Sequence, residues 1–119
     1  MVEDSLKKLI RKLPDICGPE QPFSLLHGDP WLENLLYDGK RLVMVDCSIY
    51  YGNREMDLST VDLFCPVSDY FFDAYHECYP IDPGYKERIN LWRINQWLGH
   101  ITLDAKYLPK LMNAINAYI

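Results

Sequence analysis

Three oxygen-bearing side chains stand out by type and spacing. Asp29 and Asn34 lie in the string His27-Gly28-Asp29-Pro30-Trp31-Leu32-Glu33-Asn34, and Asp46 closes the run Val43-Met44-Val45-Asp46. This set suits transfer of a phosphoryl group. One carboxylate would orient or deprotonate an attacking hydroxyl, and two further oxygen ligands would hold magnesium. A rigid backbone would fix their spacing, because such catalysis is mostly positioning and electrostatics. Taken alone, His27-Gly28-Asp29 is equally well a turn, with Gly28 permitting a tight bend and Asp29 capping the next segment. The three residues together are far more specific than any one of them.

The elements that must position this set are short. Phe23 to Leu26 is an apolar run leading into His27, and Asn34–Tyr37 and Leu42–Val45 are two more. Asp38-Gly39 between the latter two is a hairpin turn signal. The pattern predicts a strand, a polar loop and a β-hairpin that together present Asp29 and Asp46. Helices are predicted around this core. Leu6, Leu9, Ile10 and Leu13 recur at helical spacing, with Lys7, Lys8, Arg11 and Lys12 on a solvated face and Pro14 as the stop. Arg54–Phe64 is predicted as a helix with Glu55 and Asp57 near its positive end, stopped by Pro66. Ser68 is the expected N-cap of a helix through Phe71, Tyr75 and Cys78 that Pro80 closes. Leu91, Ile94, Leu98 and Ile101 mark one face of a longer helix. Leu108, Leu111, Met112, Ile115, Tyr118 and Ile119 mark a last one.

The bulk properties exclude several function classes. A chain of 119 residues with 49% hydrophobic residues is large enough for one core. The net charge of -5 argues against a general nucleic-acid binder, which needs a basic footprint. No apolar stretch approaches the roughly 18 residues that span a bilayer, so no membrane partner is expected, and the N-terminus lacks a signal peptide's pattern. Cys17, Cys47, Cys65 and Cys78 form no C-x-x-C pair and are expected to be reduced, mostly buried thiols of a cytoplasmic protein. His76 and Cys78 with Cys65 or His100 lack the spacing of a zinc site.

In protein kinases a metal-binding Asn follows the catalytic Asp by five positions, as Asn34 follows Asp29 here. A second metal-binding Asp follows a hairpin in such kinases, which is the place of Asp46. The string HGDPWLEN at 27–34 is similar to the HGDLWxGN loop of fructosamine/ketosamine-3-kinases. DCSIYYGNREMDL at 46–58 resembles that family's DPAxYYGxREXDLA segment. The stretches around Phe72–Tyr75, Tyr79-Pro80, Pro83–Tyr85, Arg88 and Gly99-His100 extend the resemblance from roughly residue 20 to residue 119.

The resemblance implies an α+β, predominantly helical fold. It would be the C-terminal lobe of a protein-kinase-like fold, with a small β-hairpin carrying the catalytic and metal loops. It implies Asp29 as the base, Asn34 and Asp46 as ligands of Mg2+ between ATP phosphates, and His27 as a brace for the loop. Trp31 would wall the sugar, with core packing as its other reading, and Tyr51, Arg54 and Asp57 would support the metal loop. An Arg54 pairing with Asp57 or Glu55 is one way to build that support. The implied substrate is a glycated amine or other small sugar-amine. Departures from the family pattern are Glu33 for a small residue, Pro30 for Leu, Cys47-Ser48 for Pro-Ala, and Cys65-Pro66 for Gly-Gly.

Kinases of this fold also cradle ATP beneath a Gly-rich loop, with a lysine on a strand. The 26 residues before His27 hold one glycine, Gly18, and their lysines fall on the predicted helix. The expectation is therefore a single domain over 1–119, the kinase-like C-lobe with the N-terminal ATP-binding lobe absent. Such a lobe would be inactive alone and would partner a separate N-lobe or self-associate through the exposed lobe interface. The alternative is a non-catalytic remnant or interaction module that retains the fold.

Overall fold

The computed structural model describes residues 1–119, which fall into two compact units: Met1–Glu20 with Gly84–Ile119, and Gln21–Pro83. Helices dominate, and short strands occur only in the second unit, in keeping with the α+β expectation. No helix is long and apolar enough to cross a membrane.

The first unit is helical: α1 (Val2–Ile16), α4 (Tyr85–Ile101) and α5 (Leu108–Asn116). Both α1 and α4 pack on α5, whose Leu111 and Ile115 are completely buried. Leu9, Leu91, Ile94 and Trp97 are buried with them. The indole of Trp97 stacks on Tyr107 at 6.2 Å, and the Lys110 ammonium sits 5.0 Å from the Trp97 ring centre. Tyr118 fastens α4 from the chain's last turn, accepting from the Leu91 N–H (3.0 Å) and donating to the Glu87 carbonyl (2.8 Å). Burial pushes its phenol pKa up.

Pro14 does not stop α1, which runs two residues further to Ile16. In the last turn proline removes one hydrogen bond, and the Cys17 N–H still reaches the Leu13 carbonyl at 3.0 Å. Gly18 then turns the chain at φ 78, against the Arg88 guanidinium. Of the apolar positions on α1, Ile10 is exposed, and Lys7, Lys8, Arg11 and Lys12 form the solvated face expected of them.

The second unit holds β1 (Ser24–Leu26), β2 (Leu35–Tyr37), β3 (Leu42–Met44), β4 (Tyr50–Gly52), α2 (Glu55–Phe64) and α3 (Asp69–Cys78). The hairpin is as expected: β2 and β3 pair antiparallel with Leu36 opposite Val43. The Asp38 carboxylate accepts from the Lys40 and Arg41 N–H groups, both at 2.9 Å, and those bonds, the Arg41 one first, hold its pKa below the usual carboxylate range. β1 pairs antiparallel with β4, Leu25 opposite Tyr51. That second pairing has no counterpart among the expected elements, although Ile49-Tyr50-Tyr51 is a run of strand formers.

Ser68 occupies the N-cap position of α3 without a side-chain bond to the helix. The cysteines are free, but only Cys65 is buried, whereas Cys47 and Cys78 are exposed. The expectation of mostly buried thiols fails because Cys47 lies in the loop after Asp46 and Cys78 on the outer side of α3.

Candidate active site

The loop from His27 to Asn34 is held by a set of hydrogen bonds that begins with Asp57. In the first turn of α2, the Asp57 carboxylate accepts from the His27 N–H at 2.7 Å and from the Gly28 N–H at 3.1 Å. Charge-assisted bonds of this kind are about twice as strong as neutral ones. Gly28 sits at φ 88, and a Cβ there would collide with the Ser48 carbonyl oxygen. No other residue fits that place. The Ser48 N–H donates to the His27 carbonyl at 2.8 Å, so the loop after Asp46 is tied to the loop before Asp29.

His27 is buried and uses both ring nitrogens. Its Nδ1 accepts from the Asp29 N–H (3.2 Å), which leaves the proton on Nε2, 2.8 Å from the Val45 carbonyl. The ring thus spans from Asp29 to the residue before Asp46. Asn34, also buried, supplies the second span. Its Nδ2 donates to the Asp29 carbonyl (2.9 Å) and to Asp29 Oδ2 (3.2 Å), and its main-chain carbonyl accepts from the Val45 N–H (2.9 Å). With both amide hydrogens committed to Asp29, Oδ1 is the atom left to take a cation.

Asp46 differs from its neighbours. It is solvent-exposed and has φ 50, the one non-glycine residue of the chain in the left-handed region. Aspartate tolerates that conformation better than most residues, at a cost of about 1 kcal/mol, and such strain gathers at functional sites. Trp31 is half-buried beside this frame, its N–H on the Asp29 carbonyl at 3.0 Å. Glu33 is exposed on the 3-10 turn Leu32–Asn34.

Arg54 does not pair with Asp57. Its guanidinium is directed to the end of α3 and donates to the carbonyls of Tyr79 (3.0 Å) and Pro80, to the Tyr75 hydroxyl (3.4 Å) and to Gln21 Oε1 (3.2 Å). The Tyr79 ring lies against it, 3.6 Å from Cζ to centroid. The two orphan carbonyls after α3 need a forked donor, and Asp57 is already committed to amides. Burial, and secondarily the Asp57 charge, push the Tyr50 phenol pKa up.

Two supports left no signal in the sequence. One is the backbone of Ser48. The other is the Cys65 thiol, which lies 3.3 Å from the Pro30 carbonyl.

The donor chemistry fits magnesium. An amide oxygen and a carboxylate are hard ligands, and Mg2+ in phosphoryl-transfer sites takes one or two protein oxygens together with substrate phosphates and water. Nowhere do three or more His, Cys, Asp or Glu side chains gather as a self-sufficient metal site.

The fructosamine kinase family model matches residues 1–119. A Lactiplantibacillus plantarum protein described as a probable ketoamine kinase is 38% identical over 97 residues, which are 80% of this chain and 35% of that protein. The ketosamine-3-kinase of Mus musculus is 33% identical over 90 residues, 75% of this chain and 29% of its own length. A crystal structure of a candidate fructosamine-3-kinase from Thermobifida fusca YX-ER1 superposes with a TM-score of 0.91 at 31% identity, covering 98% of this chain and 41% of that one. The chain therefore spans roughly a third of the curated relatives it matches.

Proposed function

The chain belongs to the fructosamine kinase family, and from that premise we propose that residues 21–83 carry the phosphoryl-transfer centre of an ATP-dependent kinase. Its acceptor would be a sugar hydroxyl of a glycated amine, as the names of the ketosamine and ketoamine kinase relatives suggest. One observation carries the reading. The Asn34 side-chain amide donates to the Asp29 carboxylate while its main-chain carbonyl accepts from the Val45 N–H, so one residue ties the Asp29 side chain to the backbone that leads into Asp46.

Asp29 accepts the proton of the sugar hydroxyl as that oxygen forms its bond to the terminal phosphorus of ATP and the bond to the ADP oxygen breaks. General bases of this kind contribute about 100- to 10,000-fold. Asn34 Oδ1 and the Asp46 carboxylate would hold Mg2+, which would supply charge neutralisation at the phosphates. His27 and Asp57 hold the loop in register, Arg54 fixes the segment leading into α2, and Trp31 offers a wall for the sugar.

Residues 1–119 act as the kinase-like C-lobe of a cytoplasmic enzyme, and the Gly-rich loop and lysine that cradle ATP come from outside these residues. Exposed Phe23, Leu25, Leu36, Leu42 and Met44 supply an apolar surface for that partner lobe or for self-association. Alone, the chain is expected to give no turnover. The test is transfer of the terminal phosphate of ATP to fructoselysine, assayed with the chain alone and with the chain joined to the portion of the Thermobifida fusca relative that it does not match. Turnover in the joined protein alone supports the proposal. None in either supports the alternative, a non-catalytic interaction module.

A further inference from the structure

Within the catalytic loop the Asp29 carbonyl is met by the Trp31 N–H and the Asn34 amide, whereas the buried carbonyl of Pro30 is met from outside the loop. Pro30 is buried, directly after Asp29, and its carbonyl oxygen meets the Cys65 thiol at 3.3 Å. A buried carbonyl without a donor costs free energy comparable to a lost hydrogen bond.

Cys65 reaches it for a local reason. It is the C-cap of α2, bonded through its N–H to the Val61 carbonyl at 2.9 Å, and Pro66 behind it forces an extended backbone of φ -115, ψ 134. Helix α2 therefore grips the loop at both ends. Asp57 in its first turn holds the amides of residues 27 and 28, and Cys65 at its end holds the carbonyl of residue 30, with Asp29 between.

We propose that Cys65 is a positioning residue for Asp29: its S–H, donated to the Pro30 carbonyl, closes the loop on the side that Asp57 does not reach. This rests on the phosphoryl-transfer reading only for its catalytic consequence, not for the coupling itself. Burial also pushes the thiol pKa up, so the donor proton is retained.

The test compares Cys65→Ala, which removes the donor, with Cys65→Ser, which keeps one, in the 119-residue chain. Amide hydrogen exchange is followed residue by residue. In Cys65→Ala the Trp31 and Asn34 amides are expected to exchange about 3- to 10-fold faster, the scale of one net hydrogen bond, while those of His27 and Gly28 keep their rates. Cys65→Ser is expected to recover most of the difference. In the joined protein, kcat of Cys65→Ala falls by a similar factor with KM for ATP unchanged. Equal exchange in all three proteins, an equal acceleration across the whole unit, or an unchanged kcat overturns the proposal. Because exchange is read without turnover, a wild-type protein that fails to transfer phosphate counts against the kinase reading alone.

Discussion

The two units bury different mixtures of side chains. In the helical unit, Leu111 and Ile115 of α5 are fully buried, Arg88 is the one buried charged side chain, and Tyr118 fastens α4 from its end. In the strand-bearing unit the buried set is rich in polar side chains: His27, Asn34, Arg54, Glu55, Ser59 and Thr60. Its strands leave Leu25, Leu36, Leu42 and Met44 to solvent. Two-stranded sheets of three residues a strand are marginal by themselves. Beside the buried Leu26, Leu58 and Val61, directional bonding around Asp29 holds this unit. Apolar packing tolerates small shifts, whereas a hydrogen-bonded frame sets geometry to a fraction of an ångström, which phosphoryl transfer needs.

That contrast can be broken from either side. Gly28→Ala places a Cβ against the Ser48 carbonyl at a positive φ and should cost about 3 kcal/mol or more, chiefly in the strand-bearing unit. Leu111→Ala should cost a comparable amount, about 3 kcal/mol, by opening a cavity in the helical unit. Denaturant unfolding gives both magnitudes, and amide exchange locates them. If Leu111→Ala loosened the Asp29 loop as much as its own helix, the division of labour would be wrong.

Arg54→Lys sharpens the polar side. Lysine keeps the charge but cannot serve the Tyr79 and Pro80 carbonyls together, and a loss of about 2 kcal/mol is expected in denaturant unfolding. A neutral result would mean that the guanidinium fork is dispensable.

Tyr118→Phe should cost about 1 kcal/mol at neutral pH. The folded phenol has a raised pKa, so its contribution is complete below about pH 10 and is lost as pH rises through the raised value. Thermal melts against pH should show wild-type stability falling above about pH 10 and a shallower fall in the variant. The smallest effect belongs to the exposed surface. Leu42→Lys should change stability by less than about 0.5 kcal/mol while lowering self-association in light scattering.

Much of this was legible in the sequence, and the limits have physical reasons. The hairpin followed from two apolar runs around Asp38-Gly39, and the five-position interval from Asp29 to Asn34 pointed to the loop before any contact was known. α5 was legible because its apolar period is regular. β4 was hidden because Tyr50–Gly52 pairs with a strand far earlier in the chain, and no local pattern encodes its partner. The sequence leaves the partner of Arg54 open for a similar reason: nearby carboxylates allow an ion pair, but the groups it serves are carbonyls at the end of α3. Pro14 inside α1 shows that proline marks a helix end only to within a turn. Cys65 shows in the sequence only as a departure from Gly, and its bond to Pro30 depends on a loop 35 residues away.

The most direct measurement is the rate of phosphate transfer from ATP to fructoselysine by the joined protein with Asp29→Asn. The substitution keeps the shape, and the new amide can still meet Asn34, while the base is removed. A base at Asp29 predicts a kcat at least about 100-fold below wild type, with little change in folding stability or in KM for ATP. Turnover close to wild type in Asp29→Asn would contradict it.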